Sequence, residues 1–158
     1  MHRSSPSIST LIDLLEAQQA RFEAFLKVLD HERAGINSFA SASLVEISDS
    51  KLALLEDIRL LEEKRSAVVS RLAGNWGVQA DTLTLRAIAD RVGPIESGLL
   101  LRLHERLNRV VMAVRDATSF NGELIARSLI FLKASTFYSS QSAVKPGAPQ
   151  GAVIEQKG

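Results

Sequence analysis

An apolar seven-residue repeat runs through the C-terminal half of the chain, and no proline interrupts it between Pro94 and Pro146. Its members are Leu100, Leu103, Leu107, Val110, Val114, Ala117, Asn121, Leu124, Ser128, Phe131, Ser135 and Tyr138. Steps of three and four residues return a side chain to the same helix face, so the repeat predicts one long helix over about Ile95–Ser140. Such a repeat is typical of a helix packed nearly parallel or antiparallel to others, within the chain or in a second copy.

Apolar side chains also recur at helical spacing near the N-terminus, from Leu11 onward. They are Leu11, Leu15, Phe22, Phe25, Leu29, Ile36 and Phe39. Gln18 and Glu32 interrupt this stripe. We expect the helix to continue through Gly35, although glycine costs a helix about 1 kcal/mol relative to alanine. The stretch rich in Ser and Ala that follows predicts a break over Ala42–Glu46.

A further stripe lies between these two and predicts a second helix. It comprises Ile47, Leu54, Ile58, Leu61, Val68 and Leu72. Lys51 and Arg65 occupy the same frame, where their long stems can cover apolar surface while the charges stay in water. Gly74-Asn75 predicts the end of this helix, because glycine and asparagine favour the left-handed conformation that terminates helices.

We expect residues Trp76–Asp81 to connect the second helix to a short helix over Leu83–Val92. Gly93-Pro94 ends that helix, because the residue before a proline disfavours helical backbone. Together these features predict an all-α fold, in which a long antiparallel helical hairpin, one short connecting helix and a third long helix form a bundle or coiled coil. We expect one domain over residues 1–141. The composition of residues 142–158 predicts a disordered tail, since Ser, Gln, Pro and Gly cannot build a core.

The composition argues against several classes of function. The formal net charge is +1, from 19 Lys and Arg against 18 Asp and Glu, which gives no reason to expect a nucleic-acid partner. No run approaches the roughly 20 apolar residues that cross a bilayer, so we expect no membrane insertion. The absence of cysteine removes disulfides, Cys-ligated zinc and thiol catalysis, and it fits a cytoplasmic protein.

Candidates for catalysis lack the partners that their chemistry needs. Carboxylate pairs such as Glu62-Glu63 lie on helix faces, without the enclosing pocket that acid–base chemistry requires. His31 resembles the histidine of phosphotransfer domains, which is followed by a Lys and then a Gly. Here Gly35 is present, but Ala34 replaces the Lys that helps hold the phosphoryl charge. We predict no enzyme activity and no cofactor or metal, and keep phosphotransfer at His31 as a lesser alternative.

Three stretches carry a resemblance to a known family. The first opens with Leu11-Ile12-Asp13-Leu14-Leu15-Glu16 and continues to Leu26-Lys27-Val28-Leu29-Asp30-His31-Glu32. The second runs from Lys51 through a leucine pair to Arg65, and the third is Asn121-Gly122-Glu123-Leu124-Ile125 followed by Tyr138. They resemble the FlgN family of flagellar export chaperones from about Leu11 to Tyr138. The chain departs from the family pattern after Tyr138, where Ser139, Ser140 and Gln141 replace an expected acidic residue and glycine.

The resemblance implies a cytoplasmic chaperone for hook-associated proteins, which form the hook–filament junction. Such a chaperone holds the C-terminal amphipathic helix of its substrate, prevents premature assembly and delivers the substrate to components of the export apparatus. Helix binding needs exposed apolar residues at helical spacing, and the last helix offers more of these than one seam can bury. The predicted partner-binding residues are Asn121, Leu124, Ile125, Ser128, Leu129, Phe131, Leu132, Phe137 and Tyr138.

Two other interpretations of this surface stay open. The same residues could pack on the first two helices as core, since an apolar stripe is more often core than binding site. Alternatively, the chain could be a structural coiled-coil protein that only associates with itself through this stripe.

Overall fold

The computed structural model describes the backbone of residues 5–144, together with the side chains of residues 5–130, Lys133 and Ala134. Four α-helices account for most of this range. They are α1 (Pro6–Asn37), α2 (Ser41–Trp76), α3 (Leu85–Ala89) and α4 (Pro94–Val144). A short 3₁₀ turn, Ala80–Thr82, links α2 to α3, and no strand occurs between residues 5 and 144. The predicted all-α fold is confirmed.

The hairpin turn between α1 and α2 lies earlier than the sequence suggested. The break predicted over Ala42–Glu46 is wrong, because α1 ends at Asn37 and α2 already begins at Ser41. Phe39 reverses the chain in the left-handed region, with φ +54°, which glycine or asparagine more often occupies. The Ser38 hydroxyl donates to the carbonyl oxygen four residues earlier at 3.0 Å and so ends α1. The remaining Ser and Ala residues are simply part of α2.

Gly35 lies inside α1, and the prediction that the helix continues through it is confirmed. A Cβ atom added at this position would lie 3.1 Å from Leu44 Cδ2 of α2. The missing side chain therefore lets the two helices approach closely just below the hairpin turn.

The other helix ends differ from the prediction by a few residues. Helix α2 passes Gly74-Asn75 and ends at Trp76, where Gly77 takes the left-handed conformation with φ +67°. The short helix is Leu85–Ala89 rather than Leu83–Val92, and Thr84 Oγ1 caps it by accepting from the Ala87 N–H at 3.1 Å. Helix α4 begins at Pro94 and continues to Val144. Residues 145–158 of the predicted tail lie outside the described part of the chain.

Helix α1 lies between the other two long helices. It packs against both α2 and α4, whereas no Cα atom of α2 lies within 8 Å of a Cα atom of α4 over the described range. Leu11 shares the core with Leu100, and farther along the same two helices the Arg33 guanidinium lies 5.8 Å from the Phe120 ring. Helix α4 therefore runs parallel to α1, while α2 returns antiparallel to it.

The apolar core is concentrated where all four helices meet, at the end opposite the hairpin turn. Its fully buried side chains are Leu11, Leu15, Leu72, Ile88 and Leu100. Helix α3 closes this end through Ile88, so a five-residue helix contributes one of the best-buried side chains of the molecule. Trp76 packs against the same core and reports on its integrity.

A buried polar group joins the three long helices nearer the turn. The Glu32 carboxylate of α1 accepts hydrogen bonds from Lys51 Nζ of α2 at 2.8 Å and from Asn121 Nδ2 of α4 at 2.9 Å. Asn121 Nδ2 also donates to the Leu29 carbonyl oxygen at 2.8 Å. The Lys51 ammonium thus meets a carboxylate whose side chain is only 10% exposed, rather than water as predicted. We call Glu32, Lys51 and Asn121 the polar bridge.

Helix α4 continues well past the hairpin. Asn121 lies beside Glu32, and α1 ends shortly afterwards at Asn37, while α4 extends to Val144. At 1.5 Å per residue, α4 projects beyond the end of α1 by roughly 25 Å. The described residues of α1 and α2 therefore offer no packing surface to the end of α4.

We expect Asn121→Ala to destabilise the fold, because it removes the Asn121 donor from the buried Glu32 Oε1 and a second donor from the Leu29 carbonyl oxygen. The cost should be about 1–3 kcal/mol in the free energy of unfolding. Urea unfolding followed by the fluorescence of Trp76, the single tryptophan, measures it. Asn108→Ala is the matched control, since that exposed amide bonds only to His104 of its own helix, at 3.3 Å. Equal effects of the two substitutions would show that the polar bridge does not hold the helices.

Candidate partner-binding site

Asn121 was predicted to contact a partner, but the structure gives it an internal role. Its side chain is 3% exposed, and its amide donates to Leu29 and Glu32 of α1. The side chain is therefore not available on the surface. The sequence placed it correctly in the heptad frame, where a polar residue at a buried position often fixes how helices pair.

The other predicted residues lie along the part of α4 that leaves the hairpin. Leu124 and Ser128 are half-buried, whereas Ile125 and Leu129 are 41% and 58% exposed. Neither exposed residue is part of the buried core. Phe131, Leu132, Phe137 and Tyr138 belong to the helical backbone of α4, but their side chains lie outside the described part of the structure.

Sequence reasoning missed an open groove between α2 and α4. Its volume is about 400 Å³. The apolar lining residues are Leu15 and Phe22 from α1, Ile58 from α2, Leu85 from α3, and Leu107 and Val111 from α4. The groove exists because α2 and α4 both pack on α1 without approaching each other. We call it the α2–α4 groove.

Polar side chains line the rim of the α2–α4 groove. Gln18 Nε2 donates to Glu62 Oε2 at 3.0 Å, and Arg65 Nε donates to the same oxygen at 2.9 Å. His104 and Asn108 of α4 line the facing rim. The hydrogen bond from Arg65 lowers the pKa of the Glu62 carboxyl, against the opposing effect of burial and with a further contribution from Gln18. The rim therefore carries a paired charge on α2 and further polar side chains beside it.

The α4 residues that line the groove face the same side of the helix as the exposed apolar residues near the hairpin turn. Ile125 and Leu129 follow Val111 by about four and five helical turns, so all three project to the same side of α4. Gly122 lies between them, and a Cβ atom added there would meet nothing within 4 Å. The face from Leu107 to Leu129 thus has apolar residues at both ends, with Arg115, Thr118 and Gly122 between them; we call it the α4 strip.

No arrangement typical of catalysis accompanies this surface. No cluster of His, Cys, Asp or Glu in the described range could hold a metal ion. His31 is exposed on α1, and the Ala34 methyl group stands where phosphotransfer would need a cation. Within the same range, every helix is too short or too polar to cross a bilayer. The residues instead offer a surface of apolar contacts with a polar edge.

Comparison with known proteins places the chain in a known family. The family model described as FlgN protein matches residues 1–145, which includes all four helices. No curated protein and no solved structure matches the chain.

We expect Glu62→Gln to make the stability of the fold less dependent on pH. The folded pKa of Glu62 lies below its unfolded value, so the carboxylate stabilises the fold above about pH 4.3. That contribution is lost as the pH falls through the folded pKa. At pH 7 the substitution should cost at most about 1 kcal/mol, since the pair is partly exposed.

Urea unfolding at pH 7 and pH 3.5 measures this difference. Glu16→Gln, which changes an exposed carboxylate of α1 outside the groove, is the control. An unchanged pH dependence in Glu62→Gln would contradict the assigned role of the Arg65 and Gln18 hydrogen bonds.

Proposed function

The chain belongs to the FlgN family of flagellar export chaperones, and we propose that it binds the C-terminal amphipathic helix of hook-associated proteins. In this role it acts in the cytoplasm. It prevents premature assembly of the substrate and delivers it to components of the export apparatus. No covalent chemistry is required, because the chaperone works by covering an apolar helix face and then releasing it.

The observation that carries this proposal is the exposure of Ile125 and Leu129 on α4. Apolar residues four apart on one helix face are the pattern through which one helix binds another. Exposed apolar residues that occur singly need no explanation, but two neighbouring ones on the side of α4 that also lines a groove favour an interaction site. Phe131, Leu132, Phe137 and Tyr138 follow on the same helix and belong to the proposed site.

Such a surface also suits reversible holding. The α2–α4 groove combines apolar walls with a polar rim, and a polar rim around an apolar centre is typical of non-obligate interfaces. A chaperone that must give up its cargo benefits from this moderate apolar area. A structural coiled-coil protein that binds only itself is the second candidate, because the same exposed residues could pair between two copies.

Leu129→Asp tests the proposed site. We expect at least tenfold weaker binding to a peptide of the C-terminal segment of a hook-associated protein, because the carboxylate would be desolvated against an apolar face. The melting temperature should stay nearly unchanged, since Leu129 is 58% exposed. Met112→Asp is the matched control, as Met112 is 52% exposed on α4 but projects away from the α4 strip.

Calorimetric titration and circular dichroism give the two readouts. Phe131→Asp and Leu132→Asp extend the series along the helix. Failure of the unaltered protein to bind any hook-associated C-terminal segment at micromolar concentration would refute the proposed function. Unfolding of Leu129→Asp at room temperature would instead identify this part of α4 as core.

A further inference from the structure

The α2–α4 groove leaves the packing of the three long helices incomplete on one side. Helix α1 contacts both neighbours, while α2 and α4 stay apart. Bundles of nearly parallel and antiparallel helices commonly contain four helices around a shared core. Here the position between α2 and α4 is open, with Phe22 at its floor and Ile58 and Val111 on opposite walls.

We infer that the bound substrate helix lies in the α2–α4 groove and along the α4 strip, where it completes a four-helix bundle. This inference rests on the proposed function, and it extends the contact surface from the end of α4 back to Leu107. The strip from Leu107 to Leu129 is about 33 Å long, which matches a helix of about 22 residues. Its occupant is one amphipathic helix rather than a short peptide.

The common direction of two apolar groups on α4 supports this location. Val111 in the groove and Leu129 beyond the polar bridge project to the same side of α4, and Gly122, which lies between them on that side, presents no side chain to an incoming helix. A straight helix that contacts Ile125 and Leu129 alongside α4 would therefore extend into the groove. Binding at the end of α4 alone would leave the apolar walls of the groove in water.

The charge on the strip identifies the complementary feature of the substrate. Arg115 is exposed, lies one turn after Val111 on the same side of α4, and has no ion pair with any described residue. Arg65 on the facing wall is already bound to Glu62. The substrate helix therefore carries an acidic residue opposite Arg115, between one apolar cluster that meets Val111 and another that meets Leu129.

Two substitutions in the groove test the location. Val111→Asp places a charge on the wall, and Asn108→Trp fills the groove from an exposed rim position without removing a core side chain. We expect each to weaken binding of the hook-associated C-terminal peptide at least tenfold, whereas Met112→Asp, one residue after Val111, binds normally. If circular dichroism shows that Val111→Asp does not fold, the affinity of Asn108→Trp for the peptide tests the location.

A charge reversal tests whether the substrate helix places an acidic residue opposite Arg115. Arg115→Glu should weaken binding several-fold, and an acidic-to-Arg substitution in the peptide should restore it. Arg106→Glu is the matched control, because Arg106 is exposed on the other side of the same helix. The assigned role of Arg115 would be overturned if Arg115→Glu and Arg106→Glu bound the peptide with equal affinity. It would also be overturned if no acidic-to-Arg substitution in the peptide restored binding to Arg115→Glu.

The outcomes separate this inference from the proposed function. If the unaltered protein binds and Leu129→Asp weakens binding, but Val111→Asp and Asn108→Trp bind like Met112→Asp, the function stands and the groove is not part of the site. If sedimentation shows a dimer that both groove variants convert to monomer, with unchanged peptide affinity, the groove is a contact between two copies and the inference is wrong.

Discussion

The Glu32 carboxylate is the constraint on which the arrangement of the long helices depends. Burying a carboxylate is costly unless a cation and hydrogen-bond donors meet it, and here Lys51 and Asn121 supply both from different helices. Sliding α2 or α4 by one residue along α1 would remove a donor from this buried charge. Apolar contacts tolerate such a shift more easily, so the polar bridge selects one register out of several that the stripes allow.

That register explains how a protein of three long helices retains an open side. The polar bridge and the core near Leu11 hold α2 and α4 to α1 at two separate levels. Between these levels nothing draws α2 and α4 together, and the α2–α4 groove remains. The groove is therefore a consequence of how the three long helices are joined, and it needs no dedicated loop or insertion.

The sequence predicted the helices well because periodicity and proline positions determine them locally. It placed the hairpin turn wrongly, since Ser and Ala residues suit both a turn and the start of α2, while the reversal at Phe39 has no glycine to mark it. It identified Gln18 and Glu32 as interruptions but could not name their partners, because periodicity along one helix carries no information about register between helices. For the same reason it found the exposed residues Ile125 and Leu129 but missed the groove.

The polar bridge also has a consequence for the order of folding. The α1–α2 hairpin closes through a three-residue turn, whereas the Asn121 bonds to α1 join residues separated by 92 and 89 positions. Contacts this distant in sequence form slowly compared with local ones. During synthesis from the N-terminus, the side of α1 that later receives α4 stays uncovered until the last helix has emerged. A member of a chaperone family must therefore itself first pass through a stage in which its own central helix lacks a cover.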